Sequence, residues 1–403
     1  MTDSYSLMSH YGIESEYMIV DKTSFKVNPI ADVILTELNG GVLASEVECG
    51  PVSWSNELVN HVLEIKFSRP SPTVLNWDEE FNRSIRSMNQ RLEKHNSVLL
   101  PTAMHPSMIP ESETVLWKHG QKEIYNTYDR IFGCKGHGWS NLQSVHINLS
   151  FGSEAEFVKL HTAIRGVLPI IPFLAASSPF CEGRVGKSLD TRLEFYEKNQ
   201  KKIPLIVGDV IPEQVDSFSD YNKIYESIYA AVKPFDPEGI IQEPWVNSRG
   251  AIPKFEYGAI EIRIMDIQES SYMDFCLIHF FTCLIRRLVL DSGALKLIMQ
   301  TDSKYLKEIY LQSRAETPQP LPKDYLRIFN VDFISLGHKE FCLQLFDVCR
   351  SEIPERYHQG LRVILEQGSL SRRLLQSTTD ISSTYRTLMD TLSRNAYYEP
   401  ILD

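Results

Sequence analysis

An α+β fold is predicted for this chain, with helices packed on one face of a mainly antiparallel β-sheet. Three observations predict it. Strand-like, period-two alternation concentrates in residues 1–153; helical three-and-four spacing dominates residues 154–403; and one strand-like segment returns near residues 260–267.

The elements follow in chain order. Tyr11 to Asp21, Leu43 to Cys49 and Val62 to Ser68 are rich in β-branched and apolar residues with period-two stretches. From Asn76 to His95, Trp77, Phe81, Ile85, Met88 and Leu92 recur at intervals of three and four, the single apolar stripe of a core-facing helix. Ser97 to Met104 and Val145 to Phe151 read as further strands. Beyond residue 154 come an apolar stretch from Gly166 to Ala176 and a tyrosine-rich helix around Tyr221, Tyr225 and Tyr229. Ile260 to Ile267 is the returning strand, and Ala294 to Leu311, Glu340 to Cys349 and Ser382 to Asn395 are helices. With no internal repeat and no Gly/Ser-rich linker, residues 1–403 are expected to form a single catalytic domain.

Composition narrows the function classes. The 403 residues are 43% hydrophobic and carry a formal net charge of −11, which argues against a nucleic-acid-binding surface. The start lacks a cationic segment followed by an apolar run, so no secretory signal is read and the cytoplasm is the expected compartment. The most apolar run, Phe275 to Leu290, is interrupted by His279, Arg286 and Arg287; it reads as a buried helix, not a membrane span. Seven cysteines, an odd count, do not suggest a disulfide framework. Cys276 with Cys283, and Cys342 with Cys349, share helical faces and read as packing residues. Cys134 and His137 have a spacing a metal could use, but no second such pair accompanies them.

Side chains alternate across a strand, so each face can be read separately. Glu14 and Glu16 point one way. Leu63, Ile65 and Phe67 oppose Glu64, Lys66 and Ser68; Val145, Ile147 and Leu149 oppose His146, Asn148 and Ser150; Ile260, Ile262 and Ile264 oppose Glu261 and Arg263. Any one of these would pass for a half-solvated strand. Four with one design point to a site. Glutamates brought together repel unless cations intervene or protons bind, and hard oxygen ligands with one imidazole suit Mg2+ or Mn2+. Arg263, Arg249 and Arg130 are then candidates for phosphate or carboxylate oxygens.

At these same residues the sequence resembles the glutamate–cysteine ligase family, in its bacterial carboxylate–amine ligase branch. The blocks, in order, are Gly12-Ile13-Glu14-Ser15-Glu16, Glu57-Leu58 with Glu64, Thr102-Ala103-Met104-His105-Pro106 and Asn141-Leu142-Gln143-Ser144-Val145-His146-Ile147-Asn148-Leu149. They continue through Ala175-Ala176-Ser177-Ser178-Pro179-Phe180, Asp190-Thr191-Arg192-Leu193, Trp245-Val246-Asn247-Ser248-Arg249-Gly250 and Ile260-Glu261-Ile262-Arg263. The resemblance implies a curved, glutamine-synthetase-like sheet. It also implies Glu14, Glu16, Glu57, Glu64, His146 and Glu261 as metal ligands or their neighbours. Arg263 and Arg249 would be catalytic, and Arg130, Gln143, Arg192, Asn247 and His105 would join them in holding ATP and the acid. One departure is Lys66-Phe67-Ser68-Arg69-Pro70, where the branch is expected to carry a Thr-Pro step.

The implied reaction joins a glutamate-like acid to cysteine or another amino compound. ATP converts the acid to an acyl phosphate, which the amine attacks, so positioning and charge neutralisation are the protein's main tasks. No G-x-x-x-x-G-K-[S/T] loop occurs, and Gly183 to Ser188 reads as a loop over the site or a surface turn. A metal-dependent hydrolase or phosphotransferase, or a non-catalytic binding protein on the same scaffold, remains open from sequence. The expected partners are small molecules, with neither nucleic acid nor membrane, and a homo-oligomer is left open.

Overall fold

The period-two segment Tyr11–Asp21 forms the longest strand, β1, and the rest of the sheet is built around it. The computed structural model describes residues 5–402, so residues 1–4 and 403 of the expected domain lie outside the described residues. The other strands are β2 (Glu46–Cys49), β3 (Val52–Asn56), β4 (Val62–Phe67), β5 (Ser97–Leu100), β6 (Ser144–Ser150), β7 (Ala251–Lys254) and β8 (Ala259–Asp266). They pair antiparallel in the order β2-β3-β4-β1-β6-β8-β7, and β5 lies along the second half of β1. The mainly antiparallel sheet expected from the sequence is therefore present.

Ile13, Leu63, Ile65, Val145, Ile147, Ile260 and Ile262 form the sheet's contribution to the main core and are shut off from solvent. Burying each such side chain is worth about 1.5–3 kcal/mol. Three helices cover this face: α1 (Trp77–Leu92), α2 (Glu154–Val167) and α3 (Ser271–Leu290), with α3 packed against both α1 and α2. The helical stretch Glu154–Ala175 is long and apolar enough to cross a membrane, but it is mostly buried within this core. All seven cysteines are free thiols.

The polar face is partly roofed as well. Met18 and Val20 of β1 pack with Tyr385 and Leu388 of the C-terminal helix Ile381–Arg394. A third cluster, including Tyr128, Ile131, Ile206, Ile228 and Val246, builds a wall beside the strands.

A β-bulge in β8 decides which of its residues face this side. Ile262 pairs with Ile147, but Met265 pairs with Val145, so β8 carries one extra residue there. Met265 thereby enters the core, and Asp266 comes opposite Ser144 on the polar side.

Several element boundaries differ from the sequence reading. The strand expected over Ser97 to Met104 stops at Leu100, because Pro101 cannot donate to a ladder. The helix expected over Ala294 to Leu311 is two helices, Ser292–Met299 and Ser303–Ser313, since Asp302 caps the second by accepting from the Lys304 N–H. Gly183 sits with positive φ in a tight hairpin between Phe180–Cys181 and Arg184–Val185.

Candidate active site

Register brings the acidic residues together. Across the β1–β4 pair Glu16 lies opposite Glu64, and across β1–β6 Glu14 lies opposite His146. Glu261 of β8 is one register step from His146, opposite Asn148. Two sets of three ligand atoms, Glu14/His146/Glu261 and Glu16/Glu64/His146, each lie within 4.8 Å of one another, with His146 common to both.

Polar neighbours orient these groups. The Ser144 N–H and hydroxyl donate to Glu16 Oε2 at 2.7 and 3.0 Å, Asn148 donates to Glu14 Oε1 at 3.0 Å, and Ser55 donates to Glu64 Oε1 at 3.0 Å. Because the Ser144 hydrogen is given to Glu16, His146 Nε2, 2.9 Å from the Ser144 oxygen, must donate. His146 Nδ1 faces Glu14 Oε2 at 3.3 Å and Glu261 Oε1 at 3.7 Å. Both ring nitrogens thus carry hydrogen, consistent with a pKa held above the usual histidine value by these carboxylates against the opposing effect of burial.

The carboxylates respond to crowding as electrostatics requires. Burial and the Glu14 charge push Glu64 up to about 7, and burial with Glu64 and Glu16 raises Glu57 well above the carboxylate range. Glu14 goes the other way: burial opposes its charge, but the His146 hydrogen bond and the Lys254 ammonium outweigh it. Protein cations supply part of the balance. Lys254 pairs with Glu261, Arg263 Nε stands 3.2 Å from Glu261 Oε1, and Lys66 reaches Glu46 at 2.9 Å and Glu64 at 3.4 Å. Lys254 was not singled out from sequence, because Pro253 disguises β7; the proline is tolerated on an edge strand.

Beside this face opens a cavity of about 290 Å³, floored by Glu16, Glu57 and His146 and walled by Tyr128, Trp139 and Trp245. Glu57 borders it but belongs to neither three-ligand set. A larger cavity of about 940 Å³ lies away from these residues, between the end of α3 and residues 328–333, and is lined by none of the acidic cluster.

The family model described as glutamate–cysteine ligase family 2 (GCS2) matches residues 10–313, a span that contains every strand and every side chain of this acidic face. The chain belongs to glutamate–cysteine ligase family 2. As a member it is a carboxylate–amine ligase. An uncharacterized protein of Archaeoglobus fulgidus is 34% identical over 96% of this chain and 99% of its own length. A Rubrobacter xylanophilus protein named "Putative glutamate--cysteine ligase 2-3" is 24% identical over 68% of each chain. The crystal structure of the Francisella tularensis glutamate–cysteine ligase in complex with AMP shares the fold, with a TM-score of 0.58 at 14% identity, covering 97% of this chain and 89% of that one.

Among the residues singled out by resemblance to glutamate–cysteine ligases, Arg263 and Arg192 border the cavity and several others lie elsewhere. Arg249 is buried and held by both oxygens of Glu213 at 2.6 Å, with Nη1 bonded to Leu205 O and Asn247 Oδ1; its guanidinium is consumed in the scaffold. Asn247, fully buried, donates to the Tyr221 hydroxyl. Arg130 is exposed and bonds Phe235 O on the outside of the wall. His105 bonds Phe25 O through Nε2 and accepts from the Ser107 N–H, and burial pushes it down to about 4, so it is a neutral structural histidine. Gln143 is buried, and its side-chain amide has no hydrogen-bond partner among the described residues. Of Cys134 and His137, whose spacing a metal could use, His137 bonds Asn141 and Glu182, and the buried Cys134 thiol is raised by burial.

Proposed function

We propose that this ligase uses ATP and Mg2+ or Mn2+ to join a glutamate-like acid to an amino compound through an acyl phosphate. The observation that carries the reading is the cross-strand convergence of Glu14, Glu16, Glu64 and Glu261 around His146 within a family of carboxylate–amine ligases. Two adjacent oxygen-rich ligand sets, and a Glu64 carboxyl pushed up to about 7 by burial and by the Glu14 charge, fit hard divalent cations. Glu14 and Glu261 would hold one ion and Glu16 and Glu64 another, with His146 a ligand to one of them through a single ring nitrogen that gives up its proton on binding. When bound, such ions neutralise the nucleotide phosphates and the charge developing on the transferred group.

The chain's own residues do the remaining work. An oxygen of the acid's carboxylate attacks the γ-phosphorus, the bond to the β–γ bridging oxygen breaks, and ADP leaves with that electron pair. The amine nitrogen then adds to the acyl carbon, phosphate leaves with the C–O pair, and the nitrogen's surplus proton passes to a carboxylate or water. Lys254, Lys66 and Arg263 are the cations available to phosphate oxygens, and Arg263 is assigned the transferred group because it shares the face of Glu261. The wall of Tyr128, Trp139 and Trp245 excludes water that would otherwise hydrolyse the acyl phosphate.

The test is ADP release over a panel of acids and amines, with mass spectrometry of the products. Release that needs both an acid and an amine, with an amide as product, is expected. Amide cleavage without ATP would replace the ligase reading by a hydrolase.

A further inference from the structure

Four polar atoms bordering the cavity are buried and lack a hydrogen-bond partner among the described residues: Arg192 Nη2, Arg263 Nε, the Tyr196 hydroxyl and Gln200 Oε1. Buried polar groups are almost always paired, so four orphans around one cavity call for ligands that complete them. Their polarity is fixed by their surroundings. Arg192 spends Nε on Asp266, which leaves Nη2 as a pure donor. The Ser248 hydroxyl gives its hydrogen to Val246 O at 3.3 Å, so Gln200 must present Nε2 to Ser248 at 2.9 Å, and this makes Oε1 the free acceptor. Arg263 Nε stands 3.2 Å from Glu261 Oε1 without a hydrogen bond and Nη1 donates to Asn247 O; this guanidinium is kept for the transferred group.

A free donor pair beside a free acceptor is complementary to a carboxylate beside an ammonium. The opposite wall is aromatic: Trp139 lies 5.2 Å and Trp245 5.8 Å from Tyr128, centroid to centroid, and Trp245 stays 39% exposed at the rim. We infer that the cavity is the amine subsite and that its substrate is an α-amino acid with a large apolar or ring-bearing side chain. Its carboxylate lies on Arg192 Nη2 and the Tyr196 hydroxyl, its ammonium on Gln200 Oε1, and its side chain against Tyr128, Trp139 and Trp245. The purine of a nucleotide would also stack on that wall. Its phosphates, however, are drawn to Lys66 and Lys254, which do not line this cavity.

The inference rests on the ligase reading but is tested apart from it, by tryptophan fluorescence titration without ATP. L-phenylalanine is compared with glycine, with phenethylamine, which lacks the carboxylate, and with 3-phenylpropionate, which lacks the amine. Each of the three is expected to bind at least about tenfold more weakly than phenylalanine, a difference of about 1.4 kcal/mol. Trp245→Phe should remove much of the signal change while keeping the affinity. Gln200→Leu should weaken phenylalanine and leave phenylpropionate unchanged, a split that general damage to the fold would not produce. Arg192→Lys should do the reverse, weakening phenylalanine but not phenethylamine. Equal binding of glycine and phenylalanine, equal binding of phenethylamine or phenylpropionate, or displacement of phenylalanine by ATP would each overturn the assignment. Phenylalanine binding without ADP release for any acid would sink the ligase reading alone, and ADP release with no preference for apolar amino acids would sink the subsite alone.

Discussion

Arg263 and Arg249 carry the same guanidinium into opposite surroundings, and this separates activity from stability. Arg263 faces the acidic cluster with Nη2 uncommitted, so Arg263→Ala should lower kcat by about two to four orders of magnitude while leaving the urea unfolding midpoint near that of the parent. Arg249→Ala deletes a bidentate pair and two further hydrogen bonds. It should cost about 2 kcal/mol in urea unfolding, less than a fully buried pair because Glu213 is half exposed. The assignment fails if Arg249→Ala matches the parent in stability and loses activity as Arg263→Ala does. His161 gives a pH test far from the acidic face. Fully buried between Phe157 and Tyr221, with neither ring nitrogen hydrogen-bonded among the described residues, it is pushed down to about 3 by burial and by Arg165 and Arg249. A depressed histidine gives stability that is intact above the unfolded value near 6.5 and is lost as pH falls towards the folded value. His161→Phe should therefore gain on the parent by about 1.4 kcal/mol per pH unit below about pH 6.5, measured by urea unfolding from pH 7.5 to 4.5. Parallel stability curves would show that His161 protonates freely in the folded state.

The strands that build the site show what a sequence can reveal about an element. The polar faces of β1, β4, β6 and β8 were legible because each sets apolar residues against Glu, His or Arg at strict alternation. β3 was not, since Ser53 and Ser55 have weak strand preference and the Trp54 signal stands almost alone. The bulge in β8 left no mark on the residue pattern either, yet it sends Asp266 to the polar side to meet Arg192 with both side chains almost wholly buried. Asp266→Ala strands that guanidinium and should cost about 3–5 kcal/mol in urea unfolding, with weaker binding of phenylalanine in the fluorescence titration. A loss below about 1 kcal/mol would mean that Asp190, also buried beside it, takes over the pairing. The roles of Arg249, Asn247 and His105 were illegible for a related reason: their partners Glu213, Tyr221 and Phe25 are distant in sequence, and nothing local tells a committed side chain from a free one.

At the scale of the whole molecule, one face of the sheet is devoted to the core and the other to charge. Helices α1 to α3 and the main core fix the strands in register, and that register gathers glutamates which have no reason to approach one another in a structure optimised for stability alone. Lys66, Lys254 and Arg263 balance part of this charge, and ATP would add more of the same sign. Glu14→Gln or Glu16→Gln should accordingly raise the Mg2+ concentration needed for half-maximal ADP release, or abolish release, in a variant that still folds. The most direct test of the acidic face as a Mg–ATP platform is ADP release from the purified protein with an acid and an amine present, first in EDTA and then with single divalent cations restored. No release in EDTA, recovery with Mg2+ or Mn2+ and poor recovery with Zn2+, which prefers tetrahedral nitrogen and sulfur sites, are expected. Release that persists in EDTA, or that Zn2+ alone supports, would contradict it.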